Sequence, residues 1–244
     1  MRFLDFFIKF FTKKALTIYY SRFLGFILHN QLYFLKKELC DCESVLDLGC
    51  GWQSLLLYIP VKFSLGTDLW YPYLLESKAK KIHRYYIQAD LKKEIPFKDN
   101  SFDAVLLLSV IEHLEKEEGI SLLNKISRIA RKKIIIITPN GYLKQIHKPE
   151  TPLQAHRSGW NTDDFKKLGF KVIGLGGFKF FRKDVHCEDR NDYVGRTLST
   201  VRFKPRFLWL LVAELSQIIS WKIPELSFEL FCVKYKTTES HPYP

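Results

Sequence analysis

VLDLGCGWQS, Val45 to Ser54, decides how the rest of the chain is read. A short apolar run of valine and leucine carries an acid near its end and breaks at closely spaced glycines. That is the pattern of a buried parallel strand delivering the chain to a functional loop. Glycines there let backbone amides approach a ligand unobstructed, and they tolerate dihedrals that other residues resist. The reading predicts a first strand over Ser44 to Gly49 and a helix after the glycines. Dinucleotide-binding loops also place paired glycines before a helix, so the surroundings must decide between ligands.

Downstream the same texture returns at intervals. KFSLGTD (Lys62 to Asp68), YYIQAD (Tyr85 to Asp90), FDAVLLLS (Phe102 to Ser109) and KKIIIITP (Lys132 to Pro139) read as strands two to five. Helical patterns fill the gaps, the longest from Ile111 to Arg131. Strands alternating with helices imply right-handed crossovers and a parallel sheet covered on both faces, an α/β fold. After Pro139 the rhythm changes. Asn140 to Trp160 is a long polar loop, Thr162 to Leu168 a helix stopped by Gly169, and FKVIGLGG (Phe170 to Gly177) a sixth strand. SFELFCVKYK (Ser227 to Lys236) alternates with period two as a seventh strand. Between strands six and seven lie a charged stretch, 182–202, and an apolar helix near Phe207 to Trp221.

Three acids then stand at three successive strand ends: Asp47, Asp68 in GTDLW, and Asp90 in QADL. A carboxylate at the end of a second strand can accept hydrogen bonds from both hydroxyls of a ribose. The carboxyl edge of a parallel sheet is where this architecture gathers its ligands. Taken singly, Asp68 and Asp90 also suit helix N-caps, and the two roles are compatible.

With LDLGCG (Leu46 to Gly51), IEHL (Ile111 to Leu114) and TPNG (Thr138 to Gly141) in view, the chain resembles the class I S-adenosylmethionine-dependent methyltransferases of type 11, from about Ser44 to Lys236. The resemblance implies a Rossmann-like, seven-stranded, mostly parallel sheet with an antiparallel last strand. It implies S-adenosylmethionine as cofactor, with Asp47, Gly49, Cys50 and Gly51 around the methionine part. Asp68 and Leu69 would take the ribose and adenine, Asp90 and Leu91 the adenine, and Ser109 the amino group. Gln53 departs from the family pattern, in which a third glycine is frequent. Hydride transfer is the lesser reading, because no tyrosine and lysine stand at the short helical spacing it needs.

His113, just after strand four, is placed to accept a proton or orient an acceptor; the plainer alternative is packing against its own helix. His156, Arg157 and Trp160 lie in the long loop, and His156 and Trp160 are candidate acceptor contacts, against a loop merely anchored by Trp160. Cys50 suits a small packing residue better than a nucleophile. Five cysteines, without paired spacing, indicate neither a disulfide framework nor a metal site, and point to a reducing, cytoplasmic setting.

The 244 residues, 47% of them hydrophobic, suffice for one substantial core. The chain divides into amphipathic helices over 1–43, a methyltransferase-like domain over 44–236 containing an inserted loop and apolar helix at 182–221, and a tail over 237–244. MRFLDFFIKFFTKK lacks a cleavage site, and RFLWLLVAELSQIISW, Arg206 to Trp221, falls short of the roughly 18 apolar residues of a spanning helix. The net charge of +12 favours phosphate-rich partners, anionic membrane or nucleic acid. The greasy basic N-terminus and the Phe207 to Trp221 helix favour a small-molecule or lipid-like acceptor with peripheral contact to anionic membrane. A nucleic-acid methyltransferase and a non-catalytic donor-binding protein are the rivals.

Overall fold

The computed structural model describes residues 30–93, 95–143, 154–183 and 200–236. Seven strands form one sheet: β1 (Ser44–Leu48), β2 (Phe63–Asp68), β3 (Tyr85–Gln88), β4 (Phe102–Leu108), β5 (Ala130–Pro139), β6 (Lys171–Phe178) and β7 (Ser227–Tyr235), in the spatial order β3-β2-β1-β4-β5-β7-β6. The pairs β1 with β2, β1 with β4, β2 with β3 and β4 with β5 are parallel. Only β7 is reversed, antiparallel to β5 on one side and β6 on the other. All seven expected strands are present, with ends moved by one or two residues.

Central strands covered on both faces should be apolar at every position rather than alternate. Ile134 to Ile137 in β5 and Ala104 to Leu107 in β4 are buried without a break. On one face lies α3 (Lys116–Ile129), whose Gly119, Leu122, Leu123, Ile126 and Ile129 make the buried stripe that a helix of 3.6-residue period presents. A reciprocal capping box between Glu115 and Glu118 fixes its start. The helices α1 (Gln31–Leu39) and α2 (Tyr71–Ala79) precede it. Phe34, Leu35 and Leu39 of α1 join the core on the opposite face of the sheet. There the Phe34 ring meets Phe231 of β7 at 5.6 Å.

Three expectations are corrected. No α-helix follows the glycines: a single 3-10 turn, Leu55–Tyr58, joins β1 to β2, because Pro60 ends any helix within a few residues of the loop. The long helix does not start at Ile111. A 3-10 turn, Ile111–His113, comes first, and Leu114 in an extended conformation separates it from α3. Among the described residues the stretch from β3 to β4 carries no helix.

A short helix, α4 (Thr162–Lys167), precedes β6, and α5 (Arg206–Ser220) then lies across that strand. Side chains added at Gly174 and Gly177 would collide with the backbone carbonyls of Ser220 and Ala213, so the glycines of β6 let α5 lie against the strand. Among the described residues no helix is long and apolar enough to cross a membrane. The helical reading of Phe3 to Tyr20, most of the charged stretch and the tail over 237–244 fall outside the described residues.

Candidate functional site

The three acids read as equivalent in the sequence take three different positions. Asp47, in β1, is fully buried beneath the glycine loop. Its Oδ2 accepts a 2.6 Å hydrogen bond from Ser54 Oγ, which in turn accepts from the Leu56 amide at 3.2 Å. The loop is thus tied to the strand that it leaves. His83 Nε2 stands 3.5 Å from the same carboxylate oxygen, while Asp47 Oδ1 is buried without a hydrogen-bond partner. Burial pushes Asp47 up to about 7, the nearby charge of Asp68 adding to the effect and Ser54 opposing it. Burial also lowers His83 to about 4, so both partners are held towards their uncharged forms. Sequence reasoning missed His83; the signal is Gly66, where a side chain would meet the imidazole Cδ2 at 2.5 Å.

Asp68 closes β2 at the rim. Oδ2 accepts from the Gly51 amide at 2.9 Å and Oδ1 from the Trp70 amide at 2.8 Å, so one carboxylate braces the loop and the entry to α2. Each oxygen keeps lone-pair capacity for a further donor. Burial raises its pKa, against the pull of the Trp70, Gly51 and Leu69 amides. Gly49 and Gly51 have positive φ, and space is open where a side chain at Gly51 would stand. At Gly49, by contrast, a Cβ would stand 2.6 Å from Val110. Cys50 is buried, its amide bonded to the Thr67 carbonyl at 2.8 Å and its thiol pushed well up by burial.

Leu69, Trp70 and Tyr71, immediately after Asp68, are exposed despite their size. Asp90 follows β3 half-buried, its Oδ1 accepting from the Lys92 amide at 3.0 Å, with Leu91 packed against the core behind it. Ser109 is exposed with φ of 56°, its amide tied to Ile137 of β5 at 2.8 Å.

A second group of residues gathers at the ends of β4 and β5. The Arg157 and Ser158 amides both donate to the Glu112 carbonyl, at 2.8 and 3.1 Å, and so hold the loop after β5 on the 3-10 turn. His113 and His156 are brought together, ring centroids 5.0 Å apart. Burial lowers His113 to about 4, its bond to the Ala155 carbonyl opposing this, and a neutral imidazole of that kind is a weak base. Trp160 is only 1% exposed and stacks on Phe165 at 5.3 Å, with Nε1 donating to Ser158 Oγ. It anchors the loop from within the core, and no acceptor-facing surface is left to it.

A mostly parallel seven-stranded sheet with one reversed strand and a glycine loop after β1 is the Rossmann-like fold of class I methyltransferases. Residues 46–138, from β1 to β5, match the family described as "Methyltransferase domain", and this part of the chain is such a domain. The chain is 29% identical over 145 residues to an uncharacterized protein of Methanocaldococcus jannaschii, covering 53% of this chain and 55% of that protein. It is 27% identical over 93 residues to (S)-tetrahydroprotoberberine N-methyltransferase of Eschscholzia californica, covering 35% of this chain and 27% of that enzyme. It thus spans about half the length, or less, of these curated relatives. Among solved structures, the plantazolicin methyltransferase BpumL in complex with SAH superposes with TM-score 0.50 at 18% identity, covering 92% of this chain and 89% of that one. The methyltransferase domain of bacterial CtHen1 does so with TM-score 0.50 at 16% identity, covering 85% and 98%. These two likenesses concern the fold.

Proposed function

We propose that the protein is an S-adenosylmethionine-dependent methyltransferase acting on a small-molecule or lipid-like acceptor. The observation that carries the reading is Asp68, a carboxylate braced at an open rim by the Gly51 and Trp70 amides with lone pairs to spare. A ribose has the two hydroxyl donors such a carboxylate accepts. The exposed side chains of Leu69 and Trp70 offer apolar surface to a base, with Asp90 and Leu91 on its far side. The space over Gly51 suits the aminoacyl tail, flanked by Gly49, Cys50 and Ser109. Asp47 serves that tail indirectly, by holding the loop through Ser54.

The bound sulfonium supplies an activated methyl group, and its transfer is an in-line displacement. What the chain must contribute is alignment and exclusion of water. His113 and His156, at the ends of the neighbouring strands, orient the acceptor; their weak basicity suits hydrogen bonding better than deprotonation. For a lipid-like acceptor the support is the outer face of α5, where Leu208, Leu211, Leu215, Ile218 and Ile219 are all exposed, together with the net charge of +12.

Calorimetric titration with the donor and its demethylated product tests the first half, and absence of binding at millimolar excess overturns it. A labelled-methyl screen of lipid, metabolite and RNA extracts tests the second. Label in RNA would replace the acceptor class proposed here, and donor binding without label anywhere would favour a non-catalytic binding protein.

A further inference from the structure

Counting cysteines gave no metal site, but the fold assembles one candidate from other residues. Glu112, His113 and His156 each bring one ligand atom to within 4.8 Å of the other two. Two come from the 3-10 turn after β4 and the third from the loop after β5, so no sequence spacing announces them. Each is already oriented by a partner of its own. Thr138 Oγ1 donates to Glu112 Oε2 at 3.0 Å. His113 Nδ1 stands 3.2 Å from the Ala155 carbonyl, and His156 Nδ1 stands 2.7 Å from the Leu143 carbonyl. A carbonyl can only accept, so Nδ1 carries the proton in both rings and Nε2 is left as the lone-pair atom. Among the described residues neither Nε2 has a hydrogen-bond partner. Imidazoles fixed through one nitrogen by a backbone carbonyl, beside a carboxylate fixed by a hydroxyl, are how proteins prepare metal ligands.

We propose that Glu112, His113 and His156 form a binding site for a divalent first-row transition metal ion. Two imidazoles and one carboxylate suit Mn2+, Fe2+, Co2+ or Zn2+ better than Mg2+ or Ca2+, which prefer all-oxygen shells. Three protein ligands leave coordination positions open. Val110 touches the glycine loop at Gly49 and lies two residues before Glu112, so the ion would sit beside the donor site. If the methyl-transfer reading above is right, the open positions are available to an oxygen of the acceptor, and a hydroxyl bound there would lose its proton more easily.

The test is titration of the chelator-treated full chain with Co2+, followed by its visible absorption, in the absence of donor and acceptor. The expected result is one ion per chain with ligand-field bands of nitrogen and oxygen ligation, displaced by Zn2+. His156→Ala should weaken binding at least tenfold with unchanged circular dichroism, and Glu112→Gln should do the same. If His156→Ala does not fold, His156→Gln replaces it. Co2+ binding of equal strength in these variants, or no ligand-field bands in the wild-type chain, overturns the proposal. Since no donor is present, this outcome is independent of whether the protein transfers methyl groups.

Discussion

At the scale of single residues, the decisive contacts belong to Asp68 and Asp47, and they make separate demands. Asp68 has a bracing and a ligand-binding task on one carboxylate. Hydrogen bonds to a charged group contribute roughly 1.5–3 kcal/mol, so Asp68→Ala should weaken S-adenosylmethionine binding by roughly 10- to 100-fold in calorimetry. Asp47 acts on stability. Its carboxyl is raised to about 7 by burial, so the folded chain holds a proton that the unfolded chain releases from about pH 4 upward. Its contribution therefore falls as pH rises from about 4 to about 7 and levels off above. His83, lowered to about 4, works the other way: its contribution is fully present above about 6.5 and is lost as pH falls towards 4. Asp47→Asn keeps the acceptor for Ser54 and removes the first effect alone. Urea titrations from about pH 5 to about pH 8 should show the variant gaining on the wild type, by a few kcal/mol at most. The sequence showed both acids because strand ends are marked by their residue types. It could not show that one is buried under the loop, since that depends on Ser54 and His83 folding back over it.

At the scale of elements, the strands were legible throughout, because unbroken runs such as Ile134 to Ile137 can only be covered on both faces. The connections were less so. Pro60 sits in the sequence in plain view, yet the expectation of a helix after a glycine loop outweighed it. The break at Leu114 has no composition signal, because IEHLEKEEG continues a good helical pattern across it. Trp160 drew attention as an aromatic residue in a polar loop, and its role turned out to be packing against Gly119, where a Cβ would meet the indole at 2.5 Å. The contact between α5 and β6 was hidden in FKVIGLGG, whose glycines read only as strand punctuation. Gly177 has a φ of 69° and no room for a methyl group beneath the Ala213 carbonyl. Gly177→Ala should therefore displace α5 and lower stability by roughly 2–4 kcal/mol, read as a shift of the thermal midpoint.

At the scale of the whole molecule, the sheet gathers the glycine loop, Asp68, Ser109 and the paired histidines along the carboxyl ends of β1, β2, β4 and β5. The fold was readable from the alternation of strands and helices. The acceptor was not, because the residues beside it come from a loop whose path no local pattern sets. The short turn from Leu55 to Tyr58 has a further consequence. An α-helix starting at a glycine loop would present about half a positive charge to an anionic ligand group, and a single 3-10 turn does not. Counter-charge for a ligand carboxylate then falls to mobile lysines, of which Lys80 is nearest to hand, its Nζ 3.1 Å from the Trp52 carbonyl and over the Trp52 ring. Charges borne on exposed side chains are screened by salt. Donor affinity should drop several-fold between about 0.05 M and about 0.5 M sodium chloride, and Lys80→Ala should bind weakly and almost without regard to ionic strength.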